Sequence, residues 1–306
     1  MPPAPPRPDL PGATSALAPP APPAPPSRWA AGSPIPLRPL RVGETIDAAI
    51  RLYRLNWKTF IGIVAIVTIP FTALQAFLVQ AVGRPARLDL PSSLTLVTGC
   101  VSTNAGAVAV VTLVTTLVSL LFVRPFLTAA MVGAVGDAYV GQTPTVEGSY
   151  RLALSRLGSV LLVEVLAGFA VLGGFLLLVV PGFIVLTKLI ASSSAVILED
   201  VRGRKALSRS WRLTDGHGWR VFGTWLLASL LAGIVAGLFT LPATLLGNSM
   251  SCSSGWLVRA IGQIAGAVVV QPFAAAIPVL LYLDLRVRKE GLDLALMARE
   301  LGPQDR

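Results

Sequence analysis

Six long apolar stretches alternate along the chain with short polar segments rich in arginine. A helix needs roughly 20 mainly apolar residues to cross about 30 Å of hydrocarbon. The pattern predicts spans over 57–82, 105–139, 157–180, 182–198, 219–246 and 256–283. The second is long: 35 residues of helix would reach about 52 Å, with Arg124-Pro125 near its middle. It reads as one kinked span or as two shorter ones.

The positions of the basic residues choose between these. With six spans, the basic residues of 38–58, Arg151, Arg156, the loop 202–220 and the tail 286–306 all fall on one side. Arg84, Arg87 and Arg259 fall on the other. Splitting the second span would carry the loop 202–220 outside, against the excess of Lys and Arg expected in cytoplasmic loops. The expected fold is therefore an all-α integral membrane protein of six transmembrane helices, in a bacterial inner membrane with both termini cytoplasmic. Pro125 supplies the kink, since it lacks an N–H and clashes with the preceding turn. Pro70, Pro242, Pro272 and Pro278 should act likewise. Pro181-Gly182 is expected at the tight outer turn between the third and fourth spans.

Each hairpin of spans is preceded by a short amphipathic segment. In the first, Ile46, Ala49, Ile50, Tyr53 and Trp57 share a helical face opposite Asp47, Arg51, Arg54 and Lys58. Tyr150-Arg151-Leu152 and Trp211-Arg212-Leu213 repeat the pattern of Ile50-Arg51-Leu52. These entries read as short helices in the inner headgroup layer. Their arginines, Arg51, Arg54, Arg151, Arg209 and Arg212, would rest on phosphates. The three entries suggest a threefold helix-plus-hairpin repeat.

Composition adds a tail and removes several chemistries. The chain is 54% hydrophobic and only 13% charged, against about 25% charged in soluble domains, which makes lipid the main solvent. Its net charge of +10 lies at the ends of apolar spans, so anionic headgroups and not nucleic acid are its expected counterpart. Residues 1–40 hold 15 of the 25 prolines and are expected to form a disordered cytoplasmic tail. The membrane domain is expected over 41–285 and a cytoplasmic tail over 286–306. No phosphate-binding loop, dinucleotide fingerprint, CxxC, HExxH or GxSxG occurs, and one histidine supplies metal chemistry poorly. No cofactor is expected and the protein reads as a non-enzyme.

Three charges fall inside the apolar spans. Isolated near the bilayer centre, each would cost about 2.5 to 3.5 kcal/mol on insertion scales. Counted from the inner ends, Glu164 lies about 10 Å deep and Lys188 about 16 Å. Their shared hairpin allows a pairing, with Arg124 as a second partner. A substrate anion site or proton relay is one reading. The reading put ahead of it is a buried ion pair fixing helix register, or basic residues snorkelling to headgroups. Gly233, Gly237, Gly262 and Gly266 make two small-xxx-small motifs on consecutive spans, read as packing within one hairpin, with Gly237 opposite Gly266. Cys100 and Cys252 share the outer side, where an oxidising exterior would permit a disulfide.

Four segments carry a family resemblance: Pro39-Leu40-Arg41-Val42-Gly43-Glu44, Pro181-Gly182-Phe183, Ala206-Leu207-Ser208-Arg209-Ser210-Trp211, and Leu281-Tyr282-Leu283-Asp284-Leu285-Arg286 running into Glu290-Gly291. From Arg38 to Gly302 the chain resembles the bacterial glycerophosphoryl diester phosphodiesterase membrane-domain family, most closely its actinobacterial type. The resemblance implies a six-helix membrane module without the catalytic phosphodiesterase barrel. Two functions are then expected in order: an accessory or scaffold subunit for a membrane or cytoplasmic protein partner, and a transporter or flippase for an anionic or lipidic solute.

Overall fold

The computed structural model describes residues 40–83, 85–87, 100–251 and 253–291. The proline-rich tail lies outside the described residues, as does the end of the chain beyond residue 291. Ten α-helices follow in order: α1 (Val42–Leu55), α2 (Trp57–Gly83), α3 (Ala105–Val118), α4 (Arg124–Tyr139), α5 (Val146–Leu177), α6 (Val179–Leu189), α7 (Ser192–Glu199), α8 (Arg204–Thr214), α9 (Gly218–Ser249) and α10 (Gly255–Glu290). A short antiparallel ladder, β1 (Pro85–Arg87) with β2 (Cys100–Ser102), lies in the connection between α2 and α3. Six helical stretches are long and apolar enough to cross a membrane, so the protein is an all-α polytopic membrane protein. The last helix runs to Glu290, five residues beyond the expected end of the membrane domain, and stops at Gly291 in the left-handed conformation.

The long second span is a single stretch, Ala105–Tyr139, in which a π-helical segment, Ser119–Val123, joins α3 to α4. Arg124 donates its N–H to the Ser119 carbonyl, five residues back. Pro125 follows at the start of α4. Widening one turn just before the proline relieves its clash and places the missing donor where the ladder is already shifted. The other four prolines lie inside helices, as expected.

Pro181-Gly182 does not form the turn between the third and fourth spans. That turn is the single extended residue Leu178, and Pro181 sits in the first turn of α6, where a missing N–H costs nothing. Gly182 instead packs the hairpin. A Cβ built on Gly174 would stand 3.0 Å from the Gly182 Cα, so the two backbones touch. The fourth span is also broken. It ends as α6 at Leu189 and resumes as α7 at Ser192. Ser192 donates its hydroxyl to the Leu189 carbonyl, and Ser210 of α8 donates to the Lys188 carbonyl, both at 2.7 Å. Acceptors freed by the break are thus satisfied within the protein, as a membrane helix requires.

The amphipathic entries differ from expectation in two ways. The second is not a separate helix: Tyr150, Arg151 and Leu152 lie in the first turns of α5, which runs unbroken from Val146 under a Thr145 cap. No residue comparable to Asn56 after α1 or Asp215-Gly216 after α8 interrupts it. Much of the apolar faces of α1 and α8 also packs inside the protein, while Ile50 and Trp211 stay exposed. Thr45, Ile46, Ala48, Ala49 and Leu52 of α1 pack on α10 and α9, and Ala206, Ser210, Leu213 and Thr214 of α8 pack on α5, α6, α7 and α10. Two separate entries and one fused entry leave the threefold repeat approximate.

These short helices mark one end of the molecule, the basic end, where the core collects. Phe60, Ile63 and Val64 of α2, most of α4, Ala153, Val160 and Val163 of α5, and Phe273 to Leu285 of α10 meet there. Farther along the hairpins the helices are exposed: Phe77, Leu113, Leu176, Leu238 and Leu245 all face outward, and no residue of α3 is buried.

Candidate functional site

Of the three intramembrane charges, two meet. Arg124 and Glu164 line one cavity of about 300 Å³, together with Val64, Thr128, Met131 and Gln271. The π segment and Pro125 set Arg124 at the head of α4, and α5 brings in Glu164. Thr128 hydrogen-bonds the Glu164 carboxylate, Arg124 faces it as the nearest positive charge, and Ser193 Oγ lies 3.4 Å from Oε1. Gln271 accepts from Thr68 Oγ1 at 3.2 Å. Arg124 and Gln271 are exposed, so the cavity opens on the flank of the bundle. Arg124 makes no direct ion pair among the described residues. An anion or proton carrier could bridge this pair, and a water could too.

Lys188 is elsewhere. Its Nζ lies 2.8 Å from Asp215 Oδ1 and 5.6 Å from the centre of the Trp211 ring. The helix breaks at Ile190-Ala191, just after Lys188, and α8 packs beside that break with Trp211. The Lys188 hydrogen bond and charge hold the Asp215 carboxyl below the ordinary carboxylate range.

The densest polar chemistry lies at the basic end. Asp284, buried at the end of the core, accepts from the Leu40 N–H at 2.7 Å and from Arg288 Nε at 3.0 Å, with Arg220 Nη2 at 3.2 Å. Arg288 returns to the Leu40 carbonyl at 2.7 Å. Arg41 donates its N–H to Glu44 at 2.7 Å, which starts α1 with a reaching-back carboxylate. Arg209 is the second hub. It makes two 2.8 Å bonds to Glu199 and a further pair of bonds to Glu290, which Arg286 also approaches. Bonds to Glu199 and then Glu290 hold its guanidinium above its ordinary pKa. Arg156 pairs with Asp200, and Lys289 donates to the Arg212 carbonyl at 2.6 Å.

Arg209 is thus a structural cation and not a headgroup contact. Arg51, Arg54 and Arg212 are exposed, and Arg151 makes only an exposed pair with Glu147. Sequence reading missed Asp215, Glu199 and Glu290 as partners. The run Ser192-Ser193-Ser194 inside an apolar span was the available signal, because serines compete for backbone groups and mark a weak point in a helix.

The two glycine motifs are not equivalent. A Cβ on Gly262 would meet Ala243 Cβ at 2.2 Å and the Phe239 carbonyl at 2.9 Å, and one on Gly266 would meet the Ala236 carbonyl at 3.4 Å. These two hold α10 against α9. Gly233 has nothing within 4 Å and Gly237 only Leu241 of its own helix, so both face outward along a groove with Ser229 and Pro242. The expected approach of Gly237 to Gly266 does not occur, because the α10 glycines meet α9 on its Ala236–Ala243 side. The possible pairing of Cys100 with Cys252 rests on Cys252, which lies outside the described residues. Among the described residues no three His, Cys, Asp or Glu side chains gather where a metal ion could bind.

No curated protein and no solved structure matches the chain. Residues 148–285, from the first turn of α5 to the basic end of α10, match the family model of a domain of unknown function (DUF7847).

Proposed function

We propose that this chain is a non-enzymatic accessory or scaffold subunit of a bacterial cell membrane, with its basic end and both termini in the cytoplasm. The observation that carries the reading is the use of the acidic groups at that end. Asp284, Glu199 and Glu290 are each held by arginine in largely buried networks, which commits these three carboxylates to structure, and Asp215 pairs with Lys188 from an exposed position. Arg51, Arg54, Arg151 and Arg212 face solvent there, beside the exposed Asp47, Asp137 and Glu147, and make a rim suited to anionic headgroups or an acidic protein surface. Nucleic acid is not part of this reading.

Kinship with the glycerophosphoryl diester phosphodiesterase membrane-domain family is proposed on the same ground. Three of the segments that carry the resemblance, distant in sequence, contribute Leu40, Arg209, Asp284, Arg286 and Glu290 to these two hubs. The test is affinity purification in mild detergent followed by mass spectrometry. A stoichiometric protein partner supports the scaffold, and a chain that always purifies alone removes it.

A second reading, transport of an anionic or lipidic solute, is favoured by the Arg124–Glu164 cavity. Its test is Glu164→Gln in reconstituted vesicles. A transporter should lose translocation while keeping its elution profile; a variant that merely melts lower would assign the pair to helix packing.

A further inference from the structure

A groove of about 680 Å³ runs between α6 and the first turns of α9. Its walls change character along its length. Toward the hairpin tip it is lined by Val180, Phe183, Ile184 and Phe222. The Phe183 and Phe222 rings stand 5.6 Å apart, edge to face, and brace the two walls. At the other end lie Lys188, His217 and Arg220. Trp219 lines the groove and is 89% exposed, a placement suited to the headgroup level of a bilayer.

We propose that this groove binds one anionic phospholipid, its phosphate beside Lys188 and one acyl chain along Phe183 and Phe222. Charge complementarity and shape both select this occupant. Lys188 is largely buried, and its one carboxylate partner among the described residues, Asp215, is 73% exposed, so water competes for that pairing. Arg220 adds positive charge behind it, although Asp284 holds one face of that guanidinium. The start of α9 contributes in the same sense. His217 supplies no side-chain cap, so the first N–H groups of a 32-residue helix face the same end. A single acyl chain fits the narrow apolar part and delivers its phosphate to the cationic end.

The inference is independent of the scaffold reading, since a bound lipid neither requires nor excludes a protein partner. Its test uses the full chain reconstituted in phosphatidylcholine vesicles, with brominated phosphatidylglycerol or brominated phosphatidylcholine titrated in. The signal is the fluorescence lost between wild type and Trp219→Phe, which isolates Trp219 from the other five tryptophans. Brominated phosphatidylglycerol should quench it at a mole fraction about fivefold lower than the zwitterionic lipid, the factor expected of one basic residue near an anionic headgroup. Lys188→Gln should remove that preference and Lys188→Arg should keep it. Asp215→Asn should strengthen it by releasing Lys188, an effect no packing role for Asp215 would produce. Equal quenching by the two lipids in wild type would overturn the proposal. So would a preference unchanged in Lys188→Gln, or, where that variant does not fold, one unchanged in Asp215→Asn. Loss of the preference on adding millimolar inorganic phosphate would assign the site to a soluble anion and overturn it as well.

Discussion

The basic end and the far halves of the hairpins obey different rules. At the basic end, eight helices (α1, α2, α4, α5 and α7 to α10) contribute to one core, and Asp284 and Arg209 tie together segments more than 80 residues apart. In the far halves, α3 buries nothing and α9 exposes Leu230, Leu238 and Leu245, with glycine contacts on only one of its faces. Lipid explains the contrast. An exposed leucine costs nothing among acyl chains, so no hydrophobic force draws the hairpins together there. A charge or an unpaired carbonyl near hydrocarbon is costly, so the chain closes on itself where it carries them.

The largest effect should come from breaking the basic end. Asp284→Ala would strand Arg220, Arg288 and the Leu40 N–H around a site that leaves the carboxylate only 2% exposed. A loss of about 3–5 kcal/mol is expected, read as a lower melting temperature in detergent. A variant that melts with wild type would mean that the hub is not structural. Arg209→Gln should cost less, about 1–3 kcal/mol, because its network is partly open to solvent.

The hairpin region permits a finer comparison between two glycines on neighbouring helices. Gly262→Ala should destabilise by about 1–3 kcal/mol, since its new methyl would press on Ala243 and the Phe239 carbonyl. Gly233→Ala meets open space and should be neutral or stabilise by up to about 1 kcal/mol through lower backbone entropy. Equal melting shifts for the two would erase the asymmetry between the α9 and α10 motifs. The smallest effect is expected at the exposed arginines. Arg51→Gln and Arg54→Gln should each change stability by no more than about 0.5 kcal/mol, and a larger drop would place them in the core network.

Sequence periodicity carried the architecture well and the site poorly, for identifiable reasons. Apolar run length determines which segments can span, and the arginine asymmetry kept 105–139 as one stretch, which the π segment accommodates. The Arg124–Glu164 meeting was within reach because both are isolated charges in apolar surroundings. The partner of Lys188 was not, since the break at Ile190-Ala191 depends on Ser192 and Ser210 taking over carbonyls that periodicity does not see. The same limit applies to α1. Its amphipathic pattern was legible, but an apolar face reads alike whether it meets acyl chains or α10.

The basic surface divides into structural cations and contact cations, and one comparison tests that division directly. Affinity purification in mild detergent would be run on wild type and on the combined Arg51→Gln, Arg54→Gln, Arg212→Gln variant, with melting temperatures measured on both. The variant should melt with wild type yet lose the stoichiometric partner. A partner recovered undiminished with the variant, or a wild-type chain that brings down no protein at all, would contradict it.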